Sequence, residues 1–265
     1  MTPWHSPRAT LSHATRWIIP ACLLLPPSAF LPALDLRGVL PRVAVALSDS
    51  ASWIGMPVLV TVALVLLLSR GGLSLRQGAR ELAAMVGALL LFLALGAALN
   101  EHVVKPSFGV ARPDIVELSS RGLLTMTPEG FYALPDKAAR SARLRALLGP
   151  SALERLPMDP VVREHWIAET GFSFPSGHST ASVLVAAFFL CIAITVLRGR
   201  RRYFFYALIP WAVSVCWART VLRVHRPVDI TVGALQGALL GFAAFGLVCV
   251  LAAPSPAREP SSATG

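Results

Sequence analysis

Three short stretches of this chain carry side chains able to act on an anion. In KPSFGVARP, six residues separate Lys105 from Arg112. FPSGH ends on His178 after Pro175, Ser176 and Gly177. Because Pro175 lacks an amide hydrogen, the free N–H groups expected where a helix begins belong to Ser176, Gly177 and His178. A helix start built of small residues attracts negative charge. ARTVLRVHRPVD holds Arg219, His225 and Asp229. Pro227 suits the first helical position, so His225 falls just before a helix and Asp229 in its first turn. A carboxylate there can reach back, as in a capping box. A hydrogen bond from His225 to Asp229 would fix the imidazole tautomer and leave the other nitrogen free to attack.

Each stretch also has a plainer reading. Basic residues at a helix end anchor it among headgroups, Ser176 can simply cap a helix, and Asp229 can complement a helix dipole. Together, however, the three supply what phosphoryl transfer needs, with no metal or cofactor. Lys105, Arg112 and Arg219 can surround phosphate oxygens, and the Ser176–His178 amides add preorganised donors. One histidine can attack phosphorus while the other protonates the leaving oxygen.

The elements that must position these residues are membrane helices. Of the 265 residues, 55% are hydrophobic and only 14% charged, against about 25% charged in soluble domains. The formal charge of +10 comes almost wholly from arginine, Lys105 and Lys137 being the lysines. On a membrane protein such an excess marks loops and lipid headgroups rather than a nucleic-acid partner. Six runs lack charge: 17–34, 50–69, 82–100, 179–197, 203–218 and 230–257. A spanning helix needs about 20 mainly apolar residues, so the expected fold is all-α, a polytopic bundle of six transmembrane helices. The first run, with its prolines and preceding basic residues, also fits the core of a signal peptide. With the N-terminus inside, the cytoplasmic segments carry more arginines than the short outer loops, which hold Arg37, Arg42, Arg219, Arg223 and Arg226. The long connection 101–178, between helices 3 and 4, is then periplasmic and expected to be partly helical. Helices are expected at 136–148, either interfacial or a solvated cap, and at 161–170. Residues 1–253 read as one domain and 254–265 as a disordered tail. Cys22, Cys191, Cys216 and Cys249 lie in apolar runs without metal-site spacing and read as core fillers. Gly233, Gly237 and Gly241 form a ridge for close helix packing.

The combined pattern resembles the type 2 phosphatidic acid phosphatase superfamily, whose motifs read K-x6-RP, PSGH and SR-x5-H-x3-D. One position departs: Ala218 stands where that pattern has serine before Arg219. The resemblance implies that His225 is a nucleophile forming a phosphohistidine, oriented by Asp229, with His178 as general acid. It implies that Lys105, Arg112, Ser176, Gly177 and Arg219 bind phosphate. FYALPDKAARSARLRALL and HWIAETGFSFPSGH are similar to stretches of the bacterial phosphatidylglycerophosphatase B-type members. That similarity implies a lipid phosphate substrate at the inner membrane and adds Glu169 as an ionisable candidate. An undecaprenyl diphosphate phosphatase, a lipid phosphotransferase and an inactive lipid-binding relative are the alternatives.

Overall fold

The computed structural model describes residues 7–252, and all regular elements among them are helical. Helix α1 (Pro7–Leu23) leads into a 3-10 turn over Pro26–Ala33, where closely spaced prolines end the α-helical pattern. Helices α2 (Val39–Ser50), α3 (Gly55–Leu68) and α4 (Leu75–Leu99) follow, and a π turn over Asn100–Val104 carries the chain from α4 into α5 (Lys105–Phe108). The outer connection then folds into α6 (Pro113–Ser120), α7 (Pro128–Tyr132), α8 (Lys137–Leu147), α9 (Pro150–Arg155) and α10 (Pro160–Ala168). Helix α11 (Gly177–Val196), the short α12 (Tyr203–Tyr206), α13 (Leu208–Val221) and α14 (Pro227–Ala252) complete the bundle. The all-α polytopic architecture expected from the apolar runs is present. Five helical segments are long and apolar enough to cross a membrane, and α2 with α3 makes a sixth only as a pair bent by 60°.

That bend corrects the expectation of a continuous span over 50–69. Helix α3 has 14 residues, about 21 Å at 1.5 Å per residue, well short of the roughly 30 Å hydrocarbon thickness. The chain turns tightly between the two helices, and only glycine fits at position 55. A Cβ there would lie 2.5 Å from the Ser50 Cα. The turn frees α2 to lay Ala44 and Val45 against the outer layer rather than against lipid. The tail reading at 254–265 concerns residues outside those described.

Helix α11 is the axis of the bundle. Residues Val183–Ala193 are buried all round, because α1, α3, α4, α13 and α14 pack against it. The contact with α14 is the most extensive, and the glycine ridge makes it possible. A Cβ on Gly233 would sit 2.5 Å from the Ser176 carbonyl oxygen, on Gly237 2.3 Å from that of Thr180, and on Gly241 2.6 Å from that of Leu184. All three clashes are with backbone, which cannot rotate away. A Gly237→Ala variant is therefore expected to lose about 2 kcal/mol of stability or more, read as a lowered thermal midpoint in detergent. An unchanged midpoint would show that the helices are not held this closely.

The outer connection is a packed layer, not a string of loops. Phe131, Leu144, Val162 and Trp166 form a second core with Val45 of α2 and with Val221, Leu222 and Val224 at the end of α13. Trp166 donates its indole N–H to the Leu222 carbonyl at 2.8 Å, and Arg42 of α2 pairs with Asp159 at 2.6 Å. Leu144 and Leu148 face this core, so α8 behaves as a cap, with those leucines turned away from lipid.

Candidate active site

All three stretches meet at the end of the bundle beneath the outer layer. The π turn after α4 re-aims the chain so that Lys105 points inward and is buried. Extra residues of this kind inside helices are frequent at functional sites. Gly109 then closes α5 in the left-handed conformation at φ 55°. Arg112 precedes Pro113, which opens α6, and its Nε donates to the Gly171 carbonyl at 2.7 Å. Ser176 caps α11, and Pro227 opens α14. The result is a cavity of about 350 Å³, lined among others by Lys105, Arg112, Glu169, Gly177, His178 and His225.

Glu169 occupies the centre of the cationic group. Its carboxylate lies 2.8 Å from Arg112 Nη2 and 3.1 Å from Arg219 Nη2, with His178 Nδ1 at 3.7 Å. Burial alone would raise this carboxyl, but the Arg219 and Arg112 guanidiniums hold it well below the usual carboxylate range. Both arginines are buried. Arg112 Nη1 and Arg219 Nε are enclosed without a hydrogen-bond partner among the described residues. A tetrahedral oxyanion placed at the Glu169 carboxylate would find two guanidiniums already converging on it.

Arg219 is held from three sides. Its Nη1 donates to the Ser48 hydroxyl of α2 and lies 2.9 Å from His165 Nε2 of α10. Burial, and next the Arg219 charge, push His165 down to about 3, so it accepts as a neutral ring. The hydroxyl beside this arginine thus comes from another helix. Ala218, where the family pattern has serine, packs into the outer core.

His225 lies 3.7 Å from Asp229, too far for the hydrogen bond expected between them. Ser173 stands between the two. Its hydroxyl is 3.3 Å from His225 Nδ1 and donates to Asp229 Oδ2 at 2.5 Å. The same Asp229 oxygen accepts the Arg226 amide at 2.8 Å, the reach-back of a first-turn carboxylate. A relay from His225 Nδ1–H to Ser173 and on to Asp229 leaves His225 Nε2 for the cavity. Among the amides, Ser176 N–H is engaged by the Asp229 carbonyl at 3.0 Å, and the Ser176 side chain caps α11. Gly177 and His178 keep free amides as the first residues of that helix. Space is open where a Gly177 side chain would be.

Lys105 is paired with Glu101, whose other oxygen is 2.6 Å from Lys137 at the start of α8. Ser173, Ser48, His165, Glu101 and Lys137 were not legible as site residues. Glu101 sits one helical turn before Lys105, and the others reach the site through tertiary packing, Ser173 to a histidine 52 positions away. Removing the bridging hydroxyl as Ser173→Ala is expected to lower kcat about tenfold with little change in KM. Steady-state kinetics on a lipid phosphate would show this, and an unchanged kcat would remove Ser173 from the relay.

Fold and site together define an all-α membrane protein with a buried, arginine-rich anion cradle facing two histidines. A family model described as the PAP2 superfamily matches residues 85–250, well over half the chain, and the chain belongs to that superfamily. The chain is 31% identical over 154 residues to phosphatidylglycerophosphatase B of Escherichia coli (strain K12), covering 56% of each. It is 29% identical over 151 residues to the protein of that name in Haemophilus influenzae, covering 54% of this chain and 58% of that one. A lipid A 4'-phosphatase of Bacteroides thetaiotaomicron is 31% identical over 102 residues, covering 37% of this chain and 43% of that protein. The similarity to the phosphatidylglycerophosphatases thus spans a little more than half of their length.

Proposed function

We propose that this protein is a metal-independent lipid phosphate phosphatase acting through a phosphohistidine on His225. The observation that carries this reading is the pair of buried guanidiniums, Arg112 and Arg219, bracketing the Glu169 carboxylate at the wall of the cavity that His178 and His225 also line. Substrate phosphate would take the place of the Glu169 carboxylate between Arg112, Arg219 and Lys105. His225 Nε2 would then form a bond to phosphorus as the P–O bond to the lipid breaks, with His178 supplying the proton to the lipid oxygen. Water would next attack the phosphorus, giving its proton to His178 as the P–N bond breaks, and inorganic phosphate would leave. Gly177 and His178 amides would hold the transferring oxygens. The relatives' names point to phosphatidylglycerol phosphate or a similar phosphomonoester as substrate.

Counted over the short loops, arginine is in excess at the opposite end of the bundle, which supports placing that end in the cytoplasm and the site at the periplasmic face of a bacterial inner membrane. A second reading, an undecaprenyl diphosphate phosphatase, is favoured by Lys137, an extra cation at the cavity wall beside Glu101. Phosphate release from both lipids, in excess chelator, tests both readings. Hydrolysis of phosphatidylglycerol phosphate without added metal is the expected result. A strict Mg2+ requirement would overturn the mechanism, and a strong preference for the polyprenyl diphosphate that a Lys137→Ala variant abolishes would select the second substrate.

A further inference from the structure

The end of the bundle away from the catalytic cavity holds a second pocket, of about 420 Å³, that the proposed activity does not use. It is lined by two segments, 70–77 and 196–201, at an end of the bundle where further contacts tie the helices together. Arg201 donates to the Ser69 carbonyl at 3.2 Å, Arg80 to the Ala252 carbonyl at 2.8 Å, and Thr10 and Thr195 touch at 3.2 Å. Arg70, at the end of α3, and Arg198 and Arg201, after α11, line the pocket together with Leu73, Val196 and Leu197.

The charges here are unbalanced. Arg16, Arg70, Arg76, Arg80, Arg198, Arg200, Arg201 and Arg202 all belong to this end, and Glu81 is its carboxylate among the described residues. Glu81 is buried and already taken by Arg70 and Gln77. Arg198 and Arg201 are exposed and have no carboxylate partner among the described residues. An arginine fork suits two oxygens of a phosphate, and converging forks in a concave site suit it better than a flat surface does.

The surroundings place the pocket at headgroup depth. Leu75 is 91% exposed, Tyr203 60% and Phe204 55%, all beside the arginines. Large apolar and aromatic side chains left bare at a helix start belong in the bilayer boundary. Val196 and Leu197, at the end of α11, give the pocket an apolar wall beside the arginines. A free soluble anion has no use for that wall, whereas a phospholipid does.

We propose that this pocket binds the phosphodiester headgroup of an anionic membrane phospholipid, separately from the catalytic cavity. Arg198 and Arg201 would hold the phosphate, Arg70 would line the site in its Glu81-paired orientation, and Val196 and Leu197 would meet the glycerol and first acyl carbons.

Native mass spectrometry of the full chain in detergent tests this, titrating dioleoylphosphatidylglycerol, dioleoylphosphatidylcholine or inorganic phosphate. Phosphatidylglycerol is expected to bind the wild type and to bind an Arg198→Gln/Arg201→Gln variant at least about tenfold more weakly. Arg76→Gln removes the same charge from the same end, outside the pocket, and is expected to bind like the wild type. Arg198→Gln alone breaks no side-chain hydrogen bond or ion pair among the described residues and is expected to weaken binding about fivefold. Equal binding by wild type and both Arg198 variants, equal affinity for phosphatidylcholine, or equally tight binding of inorganic phosphate would each overturn the proposal.

Discussion

Replacing His225 with alanine is expected to abolish phosphate release, by about 10⁴-fold or more, the scale at which losing a covalent nucleophile acts. The argument is geometric. His225 is buried, its Nδ1 faces the Ser173 hydroxyl, and it lines the cavity together with Arg112 and His178. Burial and the Arg112 charge both hold the imidazole below its ordinary value. Protonation would remove the attacking lone pair, so a lowered value keeps the nucleophile active into acid. The acidic limb of kcat/KM assigned to this group is therefore expected below about pH 6.5. Arg112→Gln should move that limb upward, because it removes one of the charges that disfavour the imidazolium.

His178 separates from His225 by its leaving-group dependence. A His178→Ala variant should lose about 10²–10⁴-fold on a lipid phosphate, whose alkoxide must be protonated as it departs. It should lose far less on p-nitrophenyl phosphate, whose leaving group is stable without a proton. With that aryl substrate the variant should still form a labelled phosphoenzyme, whereas His225→Ala should form none. Equal losses on both substrates would assign His178 to binding rather than proton transfer. Labelling that survives in His225→Ala would move the covalent step elsewhere.

Arg219→Met is the second large effect, because this side chain serves both chemistry and fold. It is fully buried and meets Glu169, His165 and Ser48 at once. Removing a preorganised donor of transition-state charge costs about 10²–10³-fold in kcat. Removing one partner of a buried ion pair leaves the other charge unpaired, at about 3 kcal/mol. Arg112 still contacts Glu169, so a folded but slow protein is expected. Adding Glu169→Gln should recover much of the lost stability and none of the lost kcat, which distinguishes the two roles. Arg219→Lys should behave nearly as badly, since a single ammonium cannot span three partners lying in different directions. A lysine variant with wild-type kcat would show that charge alone is needed.

Much of this protein is readable along the chain. Spans announce themselves locally, because a helix crossing about 30 Å of hydrocarbon must be apolar throughout its length. Pro227 and Ser176 mark helix starts by their own backbone chemistry. The Gly233, Gly237 and Gly241 ridge follows from spacing, although its partner α11 does not. The bend before α3 is not legible, because a charge-free run does not show that Ser50 and Gly55 pack too tightly for one straight helix.

By itself, then, the sequence determined the all-α membrane class, the helix starts and the candidate chemistry of Lys105, Arg112, Arg219, His178 and His225. Those features depend on short spacing and on side-chain type. Tertiary structure alone decided that Ser173 bridges His225 and Asp229, that Ser48 and His165 hold Arg219, and that Glu169 fills the anion cradle. The partners in each of these contacts come from segments far apart in the chain, and their side chains carry no periodicity or local pairing. Burial among neighbouring helices, which removes competing water, is what makes a common serine or glutamate specific.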